Sequence, residues 1–128
     1  MNFQLSPRIY ALMLCSAVTQ DEHTGSWVVK PFSEIGVQRL PFDVPLTVFA
    51  QIMAPAGRYE LALHLYHAAD PDGTRQSLPP RPFVVQEGKN VDFVLHIAAH
   101  ITTLGLYIVQ AEITDHHRAV TPLRISAA

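Results

Sequence analysis

The chain has 128 residues and a mass of 14.2 kDa; it is 48% hydrophobic and only 16% charged, with a formal net charge of −2. That balance excludes a disordered chain, which needs low hydrophobicity and high charge, and it lacks the basic excess expected of a nucleic-acid binder. A chain of this mass buries about two-thirds of the surface its unfolded form exposes, enough for one core over residues 1–128 without disulfide staples, and its one cysteine could not close an internal one in any case.

In chain order, the first apolar run is Ile9 to Val18. As a helix it would rise about 15 Å, half of what a bilayer core requires, so it is not a membrane span. It has the length of a signal-peptide core, but its basic flank is thin and no small-x-small cleavage pattern precedes the polar Thr19-Gln20-Asp21-Glu22. Ala, Leu and Met favour helix here, yet all-round apolarity suits a buried strand equally. A strand over 8–15 is the preferred reading.

Ten prolines punctuate the chain, and their spacing excludes long helices between residues 31 and 82. Strict alternation takes over instead. Tyr59, Leu61, Leu63 and Leu65 share one face against Glu60, Ala62, His64 and Tyr66. Val91, Phe93, Leu95 and Ile97 oppose Asp92, Val94, His96 and Ala98, and Tyr107, Val109, Ala111 and Ile113 oppose Leu106, Ile108, Gln110 and Glu112. This period of two is the mark of half-buried strands. Turn residues fall between the runs at Ala56-Gly57, Asp70-Pro71-Asp72-Gly73, Glu87-Gly88, Leu104-Gly105 and Asp115-His116-His117. The pattern predicts strands at 8–15, 26–32, 44–53, 58–67, 82–86, 90–97, 105–114 and 119–126. Eight short strands separated by turns predict an all-β, antiparallel sandwich.

The chemistry-bearing residues point to no catalytic grammar. His96 and His100 have the i, i+4 spacing of a helical zinc pair, but they fall on and after a strand, where that spacing loses its meaning. His116 and His117 beside Asp115 read as a hairpin turn, and no metal is expected at any of the four. Asp70-Pro71-Asp72-Gly73 lacks the further oxygen ligands of a calcium loop. A type I turn in which Gly73 takes the positive φ accounts for the same four residues. Cys15 sits in an apolar run, where a thiol behaves as a small hydrophobe. Neither a G-x-S-x-G elbow nor a glycine-rich phosphate loop is present. Pro79-Pro80-Arg81-Pro82 reads as the stiff approach to an edge strand rather than a proline-rich ligand.

Taken together in their order, several landmarks carry a resemblance. They are the Ala11-Leu12 opening strand, the Gly25 turn into Trp27-Val28-Val29 and Phe32, Leu40-Pro41, the strand at Val48, the Asp70–Gly73 turn, Gly105-Leu106-Tyr107 and the closing Pro122-Leu123-Arg124-Ile125. The chain resembles a family of short bacterial proteins of about this length, a domain of unknown function built as an immunoglobulin-like β-sandwich. Two positions depart from that pattern, Ser16 where an acidic residue is usual and Pro31 where a glycine is. The resemblance implies a fold and no activity.

The expected function is a non-enzymatic interaction or assembly module, without cofactor, working as a homodimer or with another protein. Residues 90–114 read as one hairpin, and alternation places Val94, His96, Leu106 and Ile108 on its outer face as an apolar interface patch. The alternative is a small-ligand or carbohydrate-binding sandwich with its site in the loops at one end, where Trp27 and Tyr66, or Tyr59 or Tyr107, would offer a stacking platform. A histidine-carboxylate hydrolase ranks third.

Overall fold

The computed structural model describes residues 6–128. Nine strands follow one another: β1 (Arg8–Gln20), β2 (Trp27–Pro31), β3 (Glu34–Val37), β4 (Phe42–Met53), β5 (Gly57–His67), β6 (Gln76–Val85), β7 (Val91–Ile101), β8 (Gly105–Ile113) and β9 (His117–Ala127). They form two sheets packed face to face, one in the order β2-β1-β4-β7 and the other β3-β9-β8-β5-β6. The predicted all-β sandwich is what the chain adopts. Among the described residues no helix is long and apolar enough to cross a membrane.

The alternating runs direct the packing as expected. Leu61, Leu63 and Leu65 of β5, Phe93, Leu95 and Ile97 of β7, and Tyr107, Val109, Ala111 and Ile113 of β8 are all buried in one core, with Leu46, Val48, Ala50 and Ile52 of β4 between them. The aromatic rings of Tyr59, Phe83 and Phe93 continue this core towards one end, with centroids 5.6 and 5.1 Å apart in succession. Side chains of period two can face only one layer, so each run contributes every second residue to the space between the sheets.

Three details differ from the sequence reading. First, β3 is an additional strand that pairs parallel with β9, Glu34 beside Arg124 and Val37 beside Ala127, whereas the other strand pairings among the described residues are antiparallel. The chain leaves β2 at Phe32, crosses to the other sheet, and enters beside β9 in the same direction. Second, β6 begins at Gln76 and runs through Pro79, Pro80 and Pro82 rather than starting after them. Third, β7 and β8 are not a hairpin. β7 pairs with β4 in one sheet and β8 pairs with β5 and β9 in the other, so residues 102–104 carry the chain from layer to layer.

Gly105, the first residue of β8, is fixed by that crossing. Its φ is 122°, and a β-carbon there would sit 2.8 Å from His67 Nε2. His67 is itself held in place: its Nδ1 accepts the Ala69 N–H at 3.1 Å, which leaves Nε2–H to donate to the Leu104 carbonyl at 3.0 Å. Gly105→Ala therefore meets both backbone strain and a pinned ring. We expect it to lower unfolding free energy by about 1–3 kcal/mol in urea titration; a loss below about 0.5 kcal/mol would contradict this account. Gly73 is different. Its φ is not positive, contrary to the turn reading, and a β-carbon there would meet the exposed Asp70 carboxylate, which would have to swing aside.

Candidate functional site

Every open sheet edge presents unpaired backbone N–H and C=O groups, and proteins normally guard such edges with prolines, lysines, bulges or short strands. Among the described residues four strands end the two sheets, and three of these are guarded. β2 has five residues and ends in Lys30-Pro31, β3 has four, and β6 carries three prolines with a register shift opposite Leu61 and Leu63. The fourth edge is unlike them. β7 has eleven residues, Val91–Ile101, with no proline, lysine or arginine and no register shift along its pairing with β4.

Which backbone groups of β7 face outward follows from two observations. The Gln76 side chain donates through Nε2 to the His100 carbonyl at 2.8 Å and accepts the His100 N–H through Oε1 at 2.6 Å. His100 therefore points its backbone away from β4, and in an antiparallel ladder so does every second residue: Ala98, His96, Val94 and Asp92. Pro45 agrees. It sits opposite Ala98 in a pair of the same kind, so its missing N–H would have pointed away from β7, on the side where β1 has already left β4 after Thr47. Gln76 thus imitates a neighbouring strand at one end of the edge. Among the described residues, no other group reaches the outward backbone of residues 92–98.

A cleft of about 480 Å³ runs between this edge and β6. Leu61, Leu63, Leu78 and Leu95 form its apolar floor, the prolines of β6 one wall, and Val94 and His96 the other. Arg81 lies at the rim, its guanidinium 5.4 Å from the centre of the Phe93 ring. The β6 prolines make that strand a poor partner for β7 and hold the cleft open.

The expected interface residues are divided by the change in topology. Val94 and His96 stand on the outer face of the β7 sheet, where the His96 Nδ1 lies 3.2 Å from Thr47 Oγ1. Leu106 and Ile108 stand on the outer face of the other sheet, in line with Arg124 and with Tyr66 and Pro122 respectively. The four do not form one patch, because the strands that carry them belong to opposite layers. Trp27 and Tyr66 are separated in the same way. Tyr66 lies under the Arg75 guanidinium, 4.5 Å from its ring centre, whereas Trp27 packs on the opposite side of the sandwich.

Trp27 has a structural task that the sequence did not suggest. β1 bulges between Cys15 and Ala17, and beyond that point the β1–β2 hairpin turns back over the outer face of its own sheet. The Trp27 ring rests 5.2 Å from Phe49, and its Nε1–H donates to Asp92 Oδ2 at 2.8 Å. Phe49 and Cys15 point outward from the sheet yet are only 2% exposed. Burial raises the Cys15 thiol above its ordinary pKa. Tyr10 is raised too, by partial desolvation and then by the negative Asp92. At the hairpin tip the Asp21 carboxylate accepts the N–H groups of His23 and Thr24, which hold it below the usual carboxylate range.

A second hollow, about 700 Å³, opens at the loop end, lined by Tyr66, His67, Asp70, Thr74, Tyr107 and their neighbours. Gln76 and His100 belong to its wall as well, so the clamped end of β7 borders this hollow. The four histidines weighed for metal are spread apart in structural roles. His96 bonds Thr47, His100 pairs with Asp43, His116 stacks edgewise on Tyr59, and His117 Nδ1 accepts the Ile9 N–H. Among the described residues no group of three or more His, Cys, Asp or Glu side chains converges.

No family model and no curated protein matches the chain. Among solved structures, it is similar to part of a β-glucosidase from Erythrobacter marinus, with 10% identity and a TM-score of 0.51 over 73% of this chain and 14% of that one. A β-glucosidase from Listeria innocua is similar over 91% of this chain and 16% of its own length, with 10% identity and a TM-score of 0.49. The chain spans about one-seventh of the length of these enzymes, and the likeness to the first is one of fold alone. The fold and the site define a two-sheet β-sandwich in which three of the four terminal strands are guarded and the fourth, β7, lies open beside an apolar cleft.

Proposed function

We propose that this chain is a non-enzymatic interaction module, immunoglobulin-like in architecture and cytoplasmic, that receives an extended strand along β7. The observation that carries the reading is the unguarded edge at Asp92–Ala98, lying beside the apolar cleft. Added strands gain affinity from backbone hydrogen bonds and selectivity from pockets for alternate side chains. The outward backbone of Asp92, Val94, His96 and Ala98 supplies the first, and the floor of Leu61, Leu63 and Leu95 the second. The cytoplasmic assignment is supported by the lone cysteine, which fits a reducing compartment.

The test is a substitution that blocks the edge and leaves the fold intact. His96→Pro removes an N–H that faces away from β4, so the internal ladder keeps its bonds. Immobilised wild-type chain should capture a partner from the native host that the His96→Pro chain captures at least about 10-fold less well. Equal capture by both chains would overturn the reading.

A second reading has its own observation. The loop-end hollow gathers Tyr66, His67, Asp70 and Tyr107, an aromatic and polar set suited to a small sugar-like ligand. Saturation-transfer NMR against mono- and disaccharides, with signals lost in Tyr66→Ala, would favour it over strand capture.

A further inference from the structure

We propose that the strand received by β7 is β7 of a second copy, paired antiparallel about a two-fold axis through Leu95. This rests on the reading of β7 as a receiving edge and adds the identity of its partner.

The self-pairing follows from where the free stretch begins and ends. Its outward backbone groups belong to Asp92, Val94, His96 and Ala98, and Gln76 occupies those of His100. In a two-fold antiparallel pairing centred on Leu95, Asp92 faces Ala98 of the second copy and Val94 faces its His96, each pair exchanging both N–H···O bonds. All four outward residues of each copy are then satisfied. Moving the centre to Val94 carries Ala98 beyond the start of the other strand. Moving it to His96 sets Asp92 against the backbone that Gln76 already holds. Only the register centred on Leu95 leaves no outward group of the stretch unpaired.

The side chains agree with this register. On the core side Leu95 meets Leu95 of the second copy and Phe93 meets its Ile97, apolar against apolar beside the cleft. On the outer side Val94 meets His96 and Asp92 meets Ala98, so no like charges oppose each other. The closed two-fold arrangement consumes both edges and prevents the open-ended stacking that an exposed strand invites. The ladder is about 24 Å long, a short contact by the standard of stable dimers, which places the expected dissociation constant at about 10–100 μM.

Sedimentation velocity of the full chain between about 1 and 300 μM should show a reversible monomer–dimer equilibrium. His96→Pro should weaken it at least 10-fold while the far-UV circular dichroism spectrum and thermal midpoint hold. The register has its own test, in a Cys15→Ala background. Leu95 and its mate form a non-hydrogen-bonded pair with Cα atoms about 4.5 Å apart, within reach of a disulfide. Leu95→Cys should therefore cross-link two chains under mild oxidation, and Phe93→Cys, which faces Ile97, should not. A chain that stays monomeric throughout overturns the self-pairing while leaving partner capture by β7 standing. A dimer indifferent to His96→Pro, or one in which Phe93→Cys cross-links as readily as Leu95→Cys, also overturns it. Equal host capture by the wild-type and His96→Pro chains together with the monomer result would sink both readings.

Discussion

Replacing Leu123 with alanine should lower unfolding free energy by about 3–5 kcal/mol, while Ile108→Ala on the outer face of the same sheet should cost under about 1.5 kcal/mol. Leu123 is fully buried on β9, beside Tyr107 of β8, and the leucine-to-alanine change removes apolar area and leaves a cavity. The cost falls at the upper end of the usual range because the site cannot collapse. β9 is held on both sides, by β8 along its length and by β3 from Arg124 to Ala127, so its backbone has little freedom to move inward. Ile108 is half-exposed between Tyr66 and Pro122, and its truncation opens to solvent rather than to a void. Urea titrations of the two variants measure the contrast. Equal losses would contradict the placement of Leu123 in the core and Ile108 on the outer face.

That contrast marks what the sequence could and could not disclose. Period-two alternation tells which side chains enter the core, because a pleated strand has only two faces, and the inward sets on β5, β7 and β8 were all readable from it. It does not tell which strand is the neighbour. The interval between Ile101 and Gly105 looks the same in sequence whether the chain turns within one sheet or crosses between two, and the crossing separates Val94 and His96 from Leu106 and Ile108. β3 was invisible for a related reason. Its four residues find their partner some ninety positions later, at residues 124–127, and no local pattern announces a parallel pairing over that distance.

The receiving edge was half legible. That β7 lacks proline, lysine and arginine over eleven residues, while 79–82 is crowded with proline, can be read directly from the chain. Compared side by side, the two runs contrast a guarded strand with an open one. The Gln76 clamp had no such signal, since a glutamine that imitates a backbone is an ordinary glutamine until the fold sets it beside His100. Trp27 was likewise noticed as an aromatic surface residue. Its role comes from the bulge after Cys15, which turns the hairpin back on the sheet, and an apolar-to-polar change at Thr19 gives no sign of that bend.

Trp27→Ala should release this hairpin and expose the buried thiol. The indole contributes its contact with Phe49 and the hydrogen bond to Asp92, whose other oxygen accepts from Gln51 Nε2 at 3.2 Å. A fully buried tryptophan costs about 3–5 kcal/mol on truncation, and Trp27 is only half-buried, so a loss of about 2–3 kcal/mol is expected. Cys15 would then react with a thiol reagent about 10–100-fold faster than in the wild type at pH 8, because both access and thiolate fraction increase. The pH dependence fixes the sign. Burial raises the folded-state pKa of Cys15, so as pH climbs through the ordinary thiol range the unfolded chain loses its proton first. Wild-type stability should accordingly decline above about pH 8.5, and Trp27→Ala should flatten that decline by returning the thiol to water. Trp27→Phe separates packing from hydrogen bonding. It keeps a ring against Phe49 but leaves Asp92 without the indole donor, at an expected cost of about 1 kcal/mol and little gain in thiol reactivity. Wild-type Cys15 that already reacts as fast as a free thiol would show that the hairpin stands open in solution and that Trp27 does not hold it against the sheet.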